Sequence, residues 1–378
     1  MKRSIWIIFA LYGASLAGGA EPYLEKIDLF QAKTEGYKTY RIPGIVVAAD
    51  GSVLTYCEAR KTGMGDWEDI DVYLRRSTDG GKTWSPRKLL CDAEKNTVNN
   101  PAAIVDRSGR IHFLYCINYA RCYYMYSDDH GLTFTEPREI TDTFDNFRKD
   151  YDWNVIATGP GHGIQLKNGR LLMPVWISSG GMRHRPSAVS TIYSDDHGKT
   201  WHRGQIVCNH PKPLVNPSET LAVQLSNGSV LLNIRNENRK YRRAVSTSRD
   251  GATQWSEIRF DEALYEPVCM AALTHLPRPF AANDSTFVFV NPDSQQNKKD
   301  FGWMRSRENL TVRISNDDCR TWPESRVIDP GISGYSDLAV GKDGTIYCVY
   351  ERGGDRGVAW KYVTLARFNR EWVVGQDN

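Results

Sequence analysis

The sequence predicts an all-β chain folded as a six-bladed β-propeller. Three observations predict it: an octapeptide that recurs five times, hairpin turn signals spaced between the copies, and the absence of long amphipathic helical stretches.

The copies are Ser77-Thr-Asp-Gly-Gly-Lys-Thr-Trp84, Ser127-Asp-Asp-His-Gly-Leu-Thr-Phe134, Ser194-Asp-Asp-His-Gly-Lys-Thr-Trp201, Ser248-Arg-Asp-Gly-Ala-Thr-Gln-Trp255 and Ser315-Asn-Asp-Asp-Cys-Arg-Thr-Trp322. Their aromatic ends lie 50, 67, 54 and 67 residues apart. The last two copies are looser, with Ala252 and Cys319 standing where the others carry glycine. Asp and Gly favour a tight turn, the Ser and Asp oxygens can accept turn amides, and the aromatic ring can pin the turn to its sheet. The octapeptides are therefore scaffold rather than chemistry. Two copies contain Gly-Lys-Thr, the end of a phosphate-binding loop. The earlier glycine such a loop needs is replaced by Arg76 and Tyr193, which excludes a nucleotide site.

The turn signals are Asp50-Gly51, Ser108-Gly109, Asn168-Gly169, Asn227-Gly228 and Asp343-Gly344, each before an apolar strand. Each blade thus offers an inner hairpin and an outer hairpin carrying the octapeptide. Five octapeptides plus a last hairpin at Asp343-Gly344 suggest six blades. A strand near Ile27–Phe30 is expected to complete the sixth and close the ring, which protects its edges.

At 378 residues, 40% hydrophobic, the chain can bury a large core, and its Gly and Pro are too evenly spread to mark a linker. Lys2 and Arg3, the apolar run Ile5 to Leu16 and the small residues Ala17 to Ala20 read as an export signal over residues 1–20, with the propeller over 21–378. The apolar run is shorter than the roughly 20 residues of a membrane span. Removing Lys2 and Arg3 lowers the formal charge from +3 to +1, which leaves no footprint for nucleic acid. The basic stretch Arg239 to Arg243 reads as a solvated strand end. All eight cysteines follow the signal; Cys57, Cys116 and Cys348 sit in apolar strands. Mostly free, buried thiols are expected, with a Cys116–Cys122 bridge open. No spacing matches a zinc site, and the acids Asp66, Glu68, Asp69 and Asp71 lack the order of a calcium loop, so no metal is expected.

The octapeptides resemble the Asp boxes of sialidases, and Tyr40-Arg41-Ile42-Pro43 resembles that family's Arg-Ile-Pro motif before the first blade. The resemblance covers nearly the whole of residues 21–378 in the expected order. It implies a propeller with Asp-box turns and an exported, monomeric, cofactor-free exo-sialidase that releases terminal sialic acid from glycoconjugates with retention. It also implies the site residues. Arg41, Arg235 in Leu-Leu-Asn-Ile-Arg-Asn, and Arg307 before the fifth octapeptide match the three arginines that clamp the substrate carboxylate, with Arg313 a nearby decoy. Glu351 in Val-Tyr-Glu-Arg-Gly matches the glutamate that orients the first arginine. Tyr335 in Ser-Gly-Tyr-Ser-Asp matches the nucleophile, and Glu219 in Asn-Pro-Ser-Glu-Thr its general base. Asp66 stands closest to the expected place of the acid, in a glycine-flexed loop, with Asp69 and then Asp71 as rivals. Arg60 resembles a further substrate-contacting arginine. Met64, Trp67, Trp176 and Trp303 are weaker candidates for holding the rest of the sugar.

The residue types suit that chemistry. Arginine stays charged and pairs with a carboxylate through a planar fork. A sugar acid with a carboxylate on its anomeric carbon repels a carboxylate nucleophile, whereas a neutral phenol can approach it and give its proton to a glutamate. The same constellation would suit hydrolysis of another 2-keto-3-deoxy sugar acid, or transfer to a second sugar. A non-catalytic sialic-acid-binding propeller would keep the arginines and lack acid, base or nucleophile.

Overall fold

The structure, a computed structural model, describes residues 20–295, 300–301, 304–353 and 360–375. Most of the stretch read as an export signal (residues 1–19) and Trp303 lie outside the described residues.

The strands form six antiparallel blades. The first runs from the axis outward as Thr39–Val47, Val53–Arg60, Ile70–Ser77 and Lys88–Cys91. The second is Val98–Val105, Ile111–Ile117, Arg121–Ser127 and Arg138–Glu139. The third is built on Val155–Thr158, Leu171–Ser178 and Ser187–Ser194, and the fourth on Thr220–Gln224, Val230–Ile234, Arg242–Ser248 and Arg259–Tyr265. Ala272–His275, Phe287–Pro292 and Glu308–Ser315 begin the fifth. A single long strand, Glu324–Val340, then ends the fifth blade and starts the sixth. Ile346–Arg352 and Tyr362–Phe368 continue the sixth, and Leu24–Gln31 completes it from the other end of the chain. The expected closing strand at Ile27–Phe30 lies within this last element.

Packing confirms the closed ring. The buried apolar residues fall into six clusters, each sandwiched between neighbouring blades. The sixth of these interfaces joins the two ends: Tyr40 and Ile45 of the first blade pack with Val349 and Leu365 of the last. An open arc of six blades would have only five such interfaces. Asn369 ties the ends further, its Oδ1 accepting the Tyr23 N–H at 3.1 Å and its Nδ2 donating to the Glu21 carbonyl at 2.8 Å.

The octapeptides are the turns between third and fourth strands. In the second copy, Ser127 Oγ accepts the Gly131 N–H at 2.8 Å and donates to Asp129 Oδ1 at 2.8 Å, while Asp129 receives the Thr133 amide and hydroxyl. The first, third and fifth copies repeat this network. Glycine suits this position because the backbone is left-handed, with φ +84° at Gly131, and a Cβ there would overlap the Leu54 side chain. Cys319 occupies the same position in the fifth copy at φ +61°. The fourth copy differs from the sequence alignment. Its turn is one residue shorter, so Gly251, at φ +72°, accepts the left-handed position rather than Ala252.

A short segment, Gly159 to Gly163, fills the axis. It pairs in parallel with the inner strand of the second blade, Gly161 opposite Ala102 and His162 opposite Ala103. His162 Nδ1 lies 2.6 Å from Asp337 Oδ1 on the sixth blade, and Asp337 Oδ2 accepts the Ile45 N–H of the first at 3.0 Å. Tyr56 donates to the Gly161 carbonyl at 2.7 Å.

All eight cysteines are free and buried, so Cys116 and Cys122, although paired across adjacent strands, form no bridge. Among the described residues no helix is long and apolar enough to cross a membrane.

Candidate active site

At one end of the axis, three inner strands break register. Bulges fall between Arg41 and Gly44, between Asn99 and Ala102, and between Ser333 and Ser336. A bulge re-aims side chains, which is why such irregularities gather beside functional sites. The first is extreme: Ile42, a β-branched residue, takes φ +54°. Its N–H is thereby turned to Glu351 Oε1 at 3.0 Å, and the same oxygen receives Arg41 Nε at 3.1 Å. Glu351 Oε2 accepts the Tyr335 N–H at 3.1 Å. Gly334 is needed here because a Cβ would overlap the Glu351 carboxylate.

The fourth blade contributes Glu219 and Arg235. They flank one hairpin, Thr220 opposite Ile234, which brings residues 16 apart in sequence side by side. The Tyr335 hydroxyl donates to Glu219 Oε1, and Arg235 Nη1 donates to Glu219 Oε2 and, at 2.9 Å, to the Tyr335 oxygen. Arg307, from the fifth blade, donates to the Val268 carbonyl. The guanidinium carbons of Arg41, Arg235 and Arg307 lie 5.4, 6.0 and 5.6 Å from the Tyr335 ring centroid. Among the described residues the Nε atoms of Arg235 and Arg307 have no hydrogen-bond partner. Arg313 is placed elsewhere, paired with Asp293.

Arg41, Glu219, Arg235, Arg307 and Tyr335 line a cavity of about 440 Å³, and Asp66 lines it too. Asp66 is 2.9 Å from Arg60 Nη1 and its side chain is 34% exposed. Asp69 and Asp71 do not line that cavity; both pair with Lys61. Arg60 is fully buried beneath Asp66, held by Glu58 Oε2 and by the Met64 and Gly65 carbonyls. Met64 and Trp176 line the cavity, whereas Trp67 stands behind it.

The electrostatics are those of a cationic pocket. Burial pushes the Asp66 carboxyl up, but Arg60, His184 and Arg41 outweigh it and hold the group below its ordinary range. Burial raises the Tyr335 phenol far above its usual value; Glu219 adds to this, while the three arginines oppose it. The tyrosine is thus neutral unless Glu219 removes its proton. An anion entering the cavity meets three guanidinium groups and, at their centre, a phenol already bonded to a base.

Sequence reasoning missed several wall residues. Trp360 lies over Arg41 at 5.0 Å and Arg307 at 6.0 Å. Tyr119 and His184 face Asp66 from the second and third blades. None sits in a repeat or motif. Glu58 was missed as well, although its signal was present: Glu58-Ala-Arg60 places both side chains on one face of a strand, and Glu58 supports Arg60 as Glu351 supports Arg41.

A family model described as a BNR repeat-like domain matches residues 55–348. A sialidase of Micromonospora viridifaciens is 31% identical over 97% of this chain and 57% of its own length. A sialidase of Bacteroides fragilis is 30% identical over 86% of this chain and 62% of its own. The chain therefore spans about three fifths of the length of these curated relatives. Among solved structures, the Hadza microbial sialidase Hz136 is 29% identical with a TM-score of 0.77, over 91% of this chain and 68% of the other.

Proposed function

The chain belongs to the sialidase family of BNR-repeat propellers, and from that premise we propose that it is a retaining exo-α-sialidase. The observation that carries the reading is the Tyr335–Glu219 hydrogen bond within a triangle of arginines.

Arg41, Arg235 and Arg307 hold the carboxylate of a terminal sialic acid, and the pairing is strengthened because all three arginines are buried. That fixes the anomeric carbon over the Tyr335 oxygen. Glu219 takes the phenolic proton as the oxygen attacks. The bond to the leaving oxygen breaks as Asp66 delivers a proton to it. Water then attacks the tyrosyl-linked sugar, Asp66 takes a proton from that water, and Glu219 returns the phenolic proton. Two displacements retain the configuration. In the empty pocket Asp66 is a carboxylate because of the positive groups around it; a bound substrate carboxylate offsets part of that field and raises its proton affinity, so that it takes a proton from solvent before giving it to the leaving oxygen. Glu351 and Glu58 orient Arg41 and Arg60. The substrate is a sialylated glycoconjugate met outside the cytoplasm, as the basic start and short apolar run of residues 1–20 imply.

The test is hydrolysis of methylumbelliferyl sialoside by the wild-type protein, Tyr335→Phe and Glu219→Ala. The wild type is expected to release the fluorophore, and the Glu219 variant to lose about 10²–10⁴-fold in kcat. Full turnover by either variant, or none by the wild type, overturns the reading.

A further inference from the structure

His184 reaches the site on the loop Ser179 to Pro186 of the third blade, whereas Asp66 comes from the first. The imidazole is stacked on Trp67, centroids 4.7 Å apart and planes at 26°. Trp176 meets it edge-on at 5.2 Å and Tyr119 lies 5.1 Å away. This aromatic cage fixes the ring and offers its nitrogens no polar partner. Nε2 is shielded and has no hydrogen-bond partner among the described residues. Nδ1 points to Asp66, 3.8 Å from Oδ2. That contact suits an ion pair and is too long for a hydrogen bond.

We infer that His184 is a positioning residue for Asp66, and that its charged form holds Asp66 as a carboxylate and so withdraws the acid. The inference rests on the reading of Asp66 as the acid. The surroundings leave these two groups to titrate against each other. Asp66 faces Arg60, Arg41, Glu58 and His184; His184 faces Asp66, Glu219, Arg235 and Arg185, with Tyr119 beside both. The arginines keep their charge throughout. Glu58 is locked to Arg60 and Glu219 to Arg235. Burial lowers the proton affinity of His184, and the charge of Asp66 opposes that. The two ionisations face each other, so a proton on either group changes the affinity of the other. A proton on His184 makes a cation beside Asp66, which stabilises the carboxylate and withdraws the acid. Removing His184 removes that cation, so Asp66 stays protonated to higher pH.

The experiment measures kcat/KM against pH for the full chain, His184→Phe and His184→Gln, on sialyllactose and on methylumbelliferyl sialoside. Phe keeps the stack on Trp67 without a proton. The sugar leaving group of sialyllactose needs an acid, whereas the aryl group leaves with little help. Both variants are expected to move the alkaline limb for sialyllactose upward by about half a pH unit or more, and to leave the aryl limb in place. An unmoved limb in folded variants, a downward shift, or equal shifts on both substrates would overturn the inference. Asp66→Asn is the separate control. It should lose sialyllactose turnover far more than aryl turnover, and failure there removes the acid assignment itself rather than the role of His184.

Discussion

Glu351 couples Tyr335 to Arg41: one carboxylate oxygen accepts the tyrosine's backbone N–H at 3.1 Å, and the other takes Arg41 Nε at 3.1 Å and the Ile42 N–H at 3.0 Å. The proposed nucleophile and the first carboxylate-binding arginine are thus held by one fully buried group. Glu351→Gln keeps the volume and one acceptor but removes the charge. We expect kcat/KM to fall about 10²-fold, since small misplacements at a reacting centre cost that much. Steady-state kinetics on a fluorogenic sialoside, with circular dichroism to confirm folding, measures it.

Arg307→Lys tests the clamp. Lysine keeps a charge but loses the fork that pairs with both oxygens of a carboxylate. KM should rise at least about tenfold, roughly 1.4 kcal/mol of binding, with a smaller change in kcat. An unchanged KM would place the substrate carboxylate elsewhere.

His162 and Asp337 give the propeller a pH-sensitive clasp on its axis. Burial pulls the His162 pKa down, but Asp337 outweighs it and the value is raised above its ordinary 6.5. A raised folded value means stability that is complete below about pH 6.5 and is lost as pH rises through the higher folded value. The urea midpoint should therefore fall on going alkaline from neutrality, and His162→Gln should flatten that fall. A midpoint that climbs over this range in the wild type, or a fall that persists in the variant, refutes it.

The octapeptide aspartates act in the opposite direction. The Thr133 hydroxyl and amide hold Asp129 down to about 2. At Asp196 burial opposes the shift, but the Thr200 hydroxyl and amide outweigh it and the value is again about 2. A depressed folded value gives stability present above the ordinary carboxylate range and lost as pH falls toward 2. Asp129→Asn combined with Asp196→Asn should lower the melting temperature at pH 7 and lessen its further fall in acid, while fluorogenic turnover stays within about twofold.

The blades were legible in the sequence because each repeats one local solution, a turn whose Ser, Asp and aromatic residues all serve the same hairpin. Arg41, Glu219, Arg235, Arg307, Tyr335 and Glu351 were legible through their motifs, and the fold brings all six together. What stayed hidden depends on the ring rather than on local pattern. His184 meets Asp66 only because the first and third blades lean over one cavity. The plug at Gly159 to Gly163 borrows a partner from the neighbouring blade. The one-residue offset in the fourth octapeptide arises because Gly251, and not Ala252, can take the left-handed turn without strain.

The clasp between Leu24–Gln31 and Tyr362–Phe368 has a consequence for when the protein can begin to work. Arg41 of the first blade and Glu351 of the sixth, which that clasp completes, meet across the interface between the two blades, 310 residues apart in the chain. A polypeptide emerging from the ribosome carries the arginine long before its counter-charge exists. Chains that stop short of the final blade would lack both the seam and the partner that aims Arg41. Birth order therefore withholds a finished pocket until the two ends have met.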